Sequence, residues 1–112
     1  MISKALTAAS YKPIVLSILA GGEMYGYQII QRVQKLSKGK IRWTAGTLYP
    51  LLHSLEAEGR VEATWRMSEA GRERKYYRLT PAGQQALAAE RREWLDVHTL
   101  LAQLWEAGLA RE

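Results

Sequence analysis

The stretch from Thr44 to Leu79, TAGTLYPLLHSLEAEGRVEATWRMSEAGRERKYYRL, decides the fold of this 112-residue chain. Its first part predicts an amphipathic helix that ends at Glu58-Gly59, because four leucines recur at helical spacing. These leucines are Leu48, Leu51, Leu52 and Leu55. From Val61 the apolar period changes to two, which predicts a strand, a turn over residues 68–72 and a second strand over residues 73–79. The stretch therefore predicts one helix followed by a basic hairpin.

The residues before this stretch are expected to be helical. Helical spacing of apolar residues predicts a short N-terminal helix over residues 2–10, and Pro13 suits the first turn of a second helix that ends at Gly21-Gly22. A further helix begins near Tyr25 and closes over residues 37–40. Thr44 is expected to cap the helix after it, with its hydroxyl accepting from a free backbone N–H. Pro50 is expected to bend or loosen that helix near its start.

The last predicted helix is too long for so small a domain to cover. Thr80 suits its N-cap, and the helix runs from Pro81 to about Glu106, which is about 38 Å at ~1.5 Å per residue. Its apolar residues form a seam at heptad spacing, for which a second copy of the chain is the simplest partner. In the alternative, the seam packs back on the same chain. The residues assigned to a dimer interface are Leu6, Leu87, Trp94, Val97, Leu101 and Leu104.

Composition excludes several classes of protein. The 16 basic residues exceed the 11 acidic ones, which favours a polyanionic partner only weakly. Without cysteine there are no disulfides or thiolate zinc sites, which fits a reducing, cytoplasmic setting, and no segment is long enough to span a membrane. The two histidines, His53 and His98, stand on different predicted helices without a ligand-spaced partner. We therefore expect no enzyme, no metal and no cofactor.

Three motifs resemble the PadR family of bacterial transcription regulators, in the right order and spacing over about residues 11–105. They are YGYQI at residues 25–29, GTLYPLL at residues 46–52 and RKYYRLT at residues 74–80, followed by Gly83. The resemblance implies a winged helix-turn-helix, a dimer formed through the C-terminal helix, and repression relieved by a small molecule. The single last helix resembles the short subfamily. The fold is thus expected to be mainly α (α+β), with a winged-helix DNA-binding domain over residues 1–80 and a dimerisation helix over residues 81–112.

One face of the third predicted helix suits the major groove of DNA. The side opposite the leucines is small and polar near its start, the amides of Gly46 and Thr47 can approach phosphate, and the Tyr49 hydroxyl can donate to it. Alternatively Tyr49 packs on the previous helix. Tyr25 and Tyr27 are expected to contact the DNA backbone, although Tyr27 in the core is an equal alternative. The predicted DNA-contacting residues are Tyr25, Tyr27, Thr44, Ala45, Gly46, Thr47, Tyr49, Pro50, His53, Arg72, Arg74 and Lys75.

The hairpin is expected to act as the wing and to supply most of the positive charge. It carries Arg66, Arg72, Arg74, Lys75 and Arg78, and the residues near its tip can reach the minor groove or its phosphates. In the alternative, the hairpin neutralises itself, for instance through Glu73 and a neighbouring arginine. The early exposed face of the third helix has no Arg, Asn or Gln. Recognition is therefore expected to depend on backbone contacts, DNA shape and the two-fold spacing of a dimer.

Trp94 is the candidate effector-binding residue. It stands in the middle of the seam, where an indole can stack on a planar aromatic or cationic ligand. In drug-responsive members of the family a tryptophan at the corresponding place stacks on planar drugs, and Trp94 resembles it. The alternative is a plain core tryptophan. Trp65 and Trp105 are expected in the core or at an interface.

Together these features predict a homodimeric repressor that binds a palindromic promoter operator in double-stranded DNA. A small aromatic molecule would release it. The alternative is a winged helix that binds only other proteins and senses no ligand. MarR-like and ArsR-like winged helices are nearer alternatives, but their patterns fit YGY and TLYPLL poorly.

Overall fold

A computed structural model describes residues 2–111 of the chain, with side chains for residues 2–108. It contains helices α1 (Lys4–Leu19), α2 (Gly26–Leu36), α3 (Ala45–Ala57) and α4 (Pro81–Arg111) and strands β1 (Met24–Tyr25), β2 (Val61–Met67) and β3 (Glu73–Leu79). This order confirms the mainly α (α+β) class, the helix with its following hairpin, and the long last helix. None of the described helices is both long and apolar enough to cross a membrane.

The core lies where α1, α2 and α3 meet the base of the hairpin. As the leucine spacing predicts, α3 buries Leu48, Leu52 and Leu55 completely, and Leu51 packs half-buried beside them. Trp43, just before α3, is 5% exposed and meets the ring of Tyr11 edge-on at 5.1 Å between centroids. The core tryptophan is therefore Trp43, a residue to which the sequence patterns assigned no role.

The N-terminus forms one helix instead of the two that were predicted. α1 runs without a break from Lys4 to Leu19 with Pro13 inside it. The proline forfeits one backbone hydrogen bond. Tyr11 before it and Ile14 after it both pack against the core, so an unbroken helix buries apolar residues on both sides of the proline. Burial therefore overrides the local stop signal.

The sheet has a third strand that the sequence did not reveal. β1 pairs antiparallel with β3, Met24 opposite Tyr77 and Tyr25 opposite Tyr76, and gives the order β1-β3-β2. Two residues are too few to show an alternating pattern. The hairpin has the predicted bounds, with Val61 opposite Leu79 at its base.

The far end of the hairpin projects beyond the core. Burial alternates along β2 only to Ala63, and Trp65 is 61% exposed. The expectation of Trp65 in the core is wrong for this reason, and the same holds for Trp105, which is 60% exposed on α4. An interface role for either tryptophan stays a prediction.

The start of α4 is fixed tightly to the α3–β2 junction. Thr80 is the N-cap that the sequence predicts, because its Oγ1 accepts from Gly83 N–H at 3.0 Å. The same hydroxyl donates to Gly59 O at 2.6 Å, and Thr80 N–H donates to Arg60 O at 3.1 Å. A Cβ on Gly83 would lie closer than 3.0 Å to Arg60 O. The junction thus requires glycine at position 83.

The rest of α4 extends away from the domain. The helix has 31 residues, five more than predicted at its end, and measures about 46 Å at ~1.5 Å per residue. Leu87 packs against the core of its own chain, as expected if the apolar seam of α4 packs back on the same chain. Farther along α4 this alternative is wrong, because Val97 is 53% and Leu104 57% exposed. Half of this helix therefore has no cover from its own chain.

Candidate nucleic-acid interface

A groove of about 380 Å³ lies between the start of α2, the exposed side of α3 and the wing. Seven of the twelve predicted DNA-contacting residues line it: Tyr25, Tyr27, Tyr49, His53, Arg72, Arg74 and Lys75. The other five, Thr44, Ala45, Gly46, Thr47 and Pro50, lie at the start of α3, where all but the half-buried Thr47 are exposed. The fold thus brings together residues that stand up to 50 positions apart in the chain.

Tyr49 is fixed against the first residue of α2. Its ring and hydroxyl lie over Gly26, where a Cβ would approach the ring carbon Cζ to 2.8 Å. Tyr49 still keeps 38% of its surface exposed. The packing on the previous helix that was given as an alternative is therefore present, and it leaves the residue accessible from the groove.

The two tyrosines at the start of α2 have different surroundings. Tyr25 is half-buried, meets Tyr76 edge-on at 5.5 Å, and carries the Arg74 guanidinium 4.2 Å above its ring centroid. Its N–H donates to Gln28 Oε1 at 3.1 Å. Tyr27 is 59% exposed, so the alternative that placed Tyr27 in the core is wrong.

Three of the five basic residues in the wing are paired with carboxylates. Arg66 contacts Glu23, Lys75 Nζ lies 3.8 Å from Glu56 Oε1, and Arg78 Nε donates to Glu62 Oε1 at 2.6 Å. Within residues 2–108, Arg72 and Arg74 have no carboxylate within 4.0 Å, and Glu73 pairs with no arginine. The wing is therefore partly self-neutralised, though through residues other than Glu73, and this weakens the expectation that it supplies most of the positive charge.

The cap of α3 differs from the prediction. Thr44 occupies the N-cap position with an extended backbone, but its hydroxyl accepts from no backbone amide. It lies 3.5 Å from the Thr47 hydroxyl instead. Because the Thr44 side chain accepts no hydrogen bond from a backbone amide, N–H groups in the exposed first turn stay open to an anion. In the part of the chain that the structure describes, neither Ala45 N–H nor Gly46 N–H makes a hydrogen bond.

Tyr77 forms the floor of the groove. Burial, followed by the nearby charges of Glu56 and Tyr49, raises the pKa of Tyr77 to about 12. Tyr77 is 1% exposed, and Lys75 Nζ lies 5.4 Å from its ring centroid. A neutral, buried phenol therefore supports the wing at the pH of the cell.

Trp94 lies between two further pockets. A pocket of about 390 Å³ lies between Trp94, α1 and the end of α2, and its lining is almost wholly apolar. A second pocket of about 420 Å³ shares Trp94 and adds Leu87, Glu90, Arg91 and Leu95. Trp94 is 37% exposed and Leu101, two turns on, is also 37% exposed. The alternative of a plain core tryptophan does not hold within a single chain.

Comparisons with known proteins agree on one kind of molecule. Residues 15–89 match the model of the transcriptional regulator PadR-like family. Over 78 residues the chain is 42% identical to a transcriptional regulator of Mycobacterium tuberculosis, a match that covers 70% of this chain and 69% of that protein.

Two solved structures share the fold over almost their whole length. A transcriptional regulator from Clostridium thermocellum superposes with a TM-score of 0.83 at 26% identity, covering 92% of this chain and 97% of that one. A PadR-like transcriptional regulator from Bacillus cereus superposes with a TM-score of 0.81 at 28% identity, covering 90% and 96%. The winged-helix part and the long last helix are therefore both shared with these structures.

Proposed function

Since this chain belongs to the PadR-like family of transcriptional regulators, we propose that it is a homodimeric repressor of a palindromic promoter operator. A small aromatic ligand would release it from the DNA. Members of the family are regulators and not enzymes, which confirms that no catalytic activity is to be expected. The observation that carries the proposal is the groove in which Tyr49, Tyr27 and the unpaired Arg72 meet beside the open start of α3.

The chemistry of this surface suits the DNA backbone. Phenolic hydroxyls, unpaired guanidinium groups and free amides at a helix start all donate hydrogen bonds to phosphate oxygens. The exposed side of α3 offers Ala45, Gly46 and His53 to the base edges, and none of these makes the strong bidentate pairings. Sequence preference would then come mainly from DNA shape and from the distance between two copies.

The exposed row on α4 supports a dimer. Val97 and Leu104 are each more than half exposed in the single chain, and Leu101 and Trp94 continue the row at 37%, while Leu6 on α1 is 55% exposed. A contiguous apolar row of this kind marks an interface. A second α4 would cover it, and the residues 1–80 of each copy would then be held at a fixed separation.

Trp94 is proposed as the effector site. Its indole is accessible, and pockets open on both sides of it. A planar aromatic ligand that stacks there would lie within the dimer seam, where it can change how the two copies are arranged.

Binding to DNA tests the main proposal. The wild-type chain is titrated against a palindromic promoter fragment and an unrelated fragment over a range of salt concentrations. Replacing Arg72 by Ala is expected to weaken both complexes and to lower the slope of log K against log salt by about 0.9 for each lost contact. Arg92→Ala, an equal loss of charge on the exposed side of α4, is the control and should leave binding unchanged.

Two outcomes would contradict the proposal. An Arg72→Ala variant that loses affinity for one operator only, with unrelated DNA unaffected, would make Arg72 a base-reading residue. A wild-type chain without salt-dependent binding to any promoter fragment would favour the protein-binding alternative.

The dimer and the effector are tested separately. Sedimentation should show a dimer that Leu104→Glu dissociates, whereas Met67→Glu, at an apolar position on the wing that is also more than half exposed, leaves it intact. Proflavine, a planar aromatic cation, should quench tryptophan fluorescence in the wild type and in Trp65→Ala. Quenching that survives Trp94→Ala would remove the stacking role.

A further inference from the structure

The positive charge of this chain is concentrated in a segment outside the wing. No Asp or Glu lies between Glu23 and Glu56, and five basic residues do: Arg32, Lys35, Lys38, Lys40 and Arg42. The rest of the chain then holds 11 basic and 11 acidic residues, so this segment accounts for the whole net charge of +5. Four of the five lie at the end of α2 and in the turn that leads to α3.

The turn between α2 and α3 has a fixed shape. Lys38 and Gly39 both take positive φ, at 53° and 78°, and Gly39 N–H donates to Gln34 O at 2.8 Å. Ser37 Oγ accepts from Ile41 N–H at 3.0 Å, and Arg42 Nε donates to Gly39 O at 3.2 Å. Because the buried Trp43 follows directly, this turn is fastened to the core at the point where α3 begins.

The basic side chains of the segment point to solvent and are not neutralised. Lys35, Lys38 and Lys40 are exposed. Among residues 2–108, no carboxylate lies within 4.0 Å of any of the five basic residues, whereas three of the five in the wing are paired. An anion that approaches the segment therefore has no internal ion pair to displace.

The segment continues the surface already described. Tyr27 lines the groove beside the wing and also a second concavity, of about 550 Å³, along the outer side of α2. That concavity holds Gln31, Gln34, Lys35 and Lys38. Tyr27, Gln31 and Gln34 recur at helical spacing on α2, and Lys38 in the turn beyond the helix lines the same concavity, so the concavity leads from the groove to the turn.

We propose that this basic turn, defined as Lys35, Lys38, Lys40 and Arg42, is a second binding surface for the phosphates of duplex DNA. The inference rests on the proposed DNA-binding function and adds to it. The turn supplies most of the sequence-independent affinity and of the salt dependence, because its contacts release counterions without breaking internal pairs. The wing and α3 would orient the protein on the site.

The test replaces Lys35, Lys38 and Lys40 together by Gln and leaves Arg42, which holds the turn. The slope of log K against log salt is expected to fall by about 2.7 per protomer, at ~0.9 per contact, and affinity is lost by the same factor for operator and unrelated DNA. The matched control replaces Lys4, Arg91 and Arg92 by Gln, which removes three charges from α1 and α4. Circular dichroism melting shows whether both variants fold as the wild type does.

The outcomes separate this inference from the proposed function. A wild type that binds DNA, together with a triple variant whose salt slope is unchanged, overturns the role of the turn alone. Equal slope changes in the triple variant and its control also overturn it, because the effect would then be one of net charge. A triple variant that loses binding to phosphatidylserine vesicles but keeps its DNA slope would assign the turn to a membrane surface instead. A wild type that binds no DNA refutes the proposed function.

Discussion

Replacing Gly83 by Ala is expected to destabilise the protein, although the same change inside a helix ordinarily stabilises it. Alanine is favoured over glycine by about 1 kcal/mol in a helix interior. At Gly83, however, the new Cβ would lie closer than 3.0 Å to Arg60 O and at 3.0 Å from Arg60 C. Both are backbone atoms, so no side-chain rotation relieves the overlap.

The size of the effect follows from what must move. α4 has to separate from the α3–β2 junction, which weakens the bonds from Thr80 N–H to Arg60 O at 3.1 Å and from Thr80 Oγ1 to Gly59 O at 2.6 Å. Each such bond contributes about 1 kcal/mol, and overpacking adds roughly 1–3 kcal/mol. After the gain in helix propensity, we expect a net loss of about 2–4 kcal/mol in the free energy of unfolding.

Chemical denaturation at one fixed protein concentration measures this change, because a dimer makes stability depend on concentration. Gly108→Ala is the control, since a Cβ there would meet nothing within 4 Å in the same helix. It should leave stability unchanged or raise it by up to ~1 kcal/mol. A Gly83→Ala variant as stable as Gly108→Ala would refute the close approach of α4 to Arg60.

Three further outcomes are expected. In denaturant titrations, Trp43→Ala should lower the free energy of unfolding by about 3–5 kcal/mol, and Trp65→Ala should lower it by less than ~0.5 kcal/mol. Losses of similar size in the two variants would contradict the burial of Trp43. Because the pKa of Tyr77 is raised to about 12 in the folded chain from 10.0, the folded state holds the proton longer, so stability should fall as pH rises from 10 towards 12. Thermal melts over that range, with the 295 nm titration of tyrosine, check this, and a flat melting temperature would count against it. Gly26→Ala should displace the Tyr49 ring and lower DNA affinity about 10-fold, with folding retained. Fluorescence anisotropy with a labelled operator measures this change. Undiminished affinity would show that the position of Tyr49 does not matter.

Periodic patterns in the sequence predicted the elements that bury a complete face. The leucines of α3 and the ends of the hairpin are set by side-chain spacing alone, so local reading suffices for them. Pro13 misled because the burial of Tyr11 and Ile14, which belongs to the tertiary fold, outweighs a local stop signal. β1 was missed because two residues carry no period.

The sequence predicted which residues belong to the candidate site, but it did not predict which contacts they make. The motifs singled out Tyr49 and Arg72, and the structure places both in one groove. The pairing of Arg66 with Glu23 joins residues 43 positions apart, so no local pattern could show it. The basic residues of the turn could be counted from the sequence. Only the structure shows, for residues 2–108, that none of them is paired with a carboxylate, whereas three of the five basic residues in the wing are.

Because α4 is fixed tightly at Gly83, a change in the direction of α4 also rotates the DNA-binding part of the same copy. The helix is about 46 Å long and is fixed at one end through Thr80 and Gly83, so it transmits rotation instead of absorbing it. A tilt of about 10° displaces one end relative to the other by roughly 8 Å over such a length. Two recognition helices must stand ~34 Å apart to enter successive major grooves on one side of DNA. In the proposed dimer, a ligand that changes the crossing of the two α4 helices by a few degrees would thus move the copies out of register with the operator.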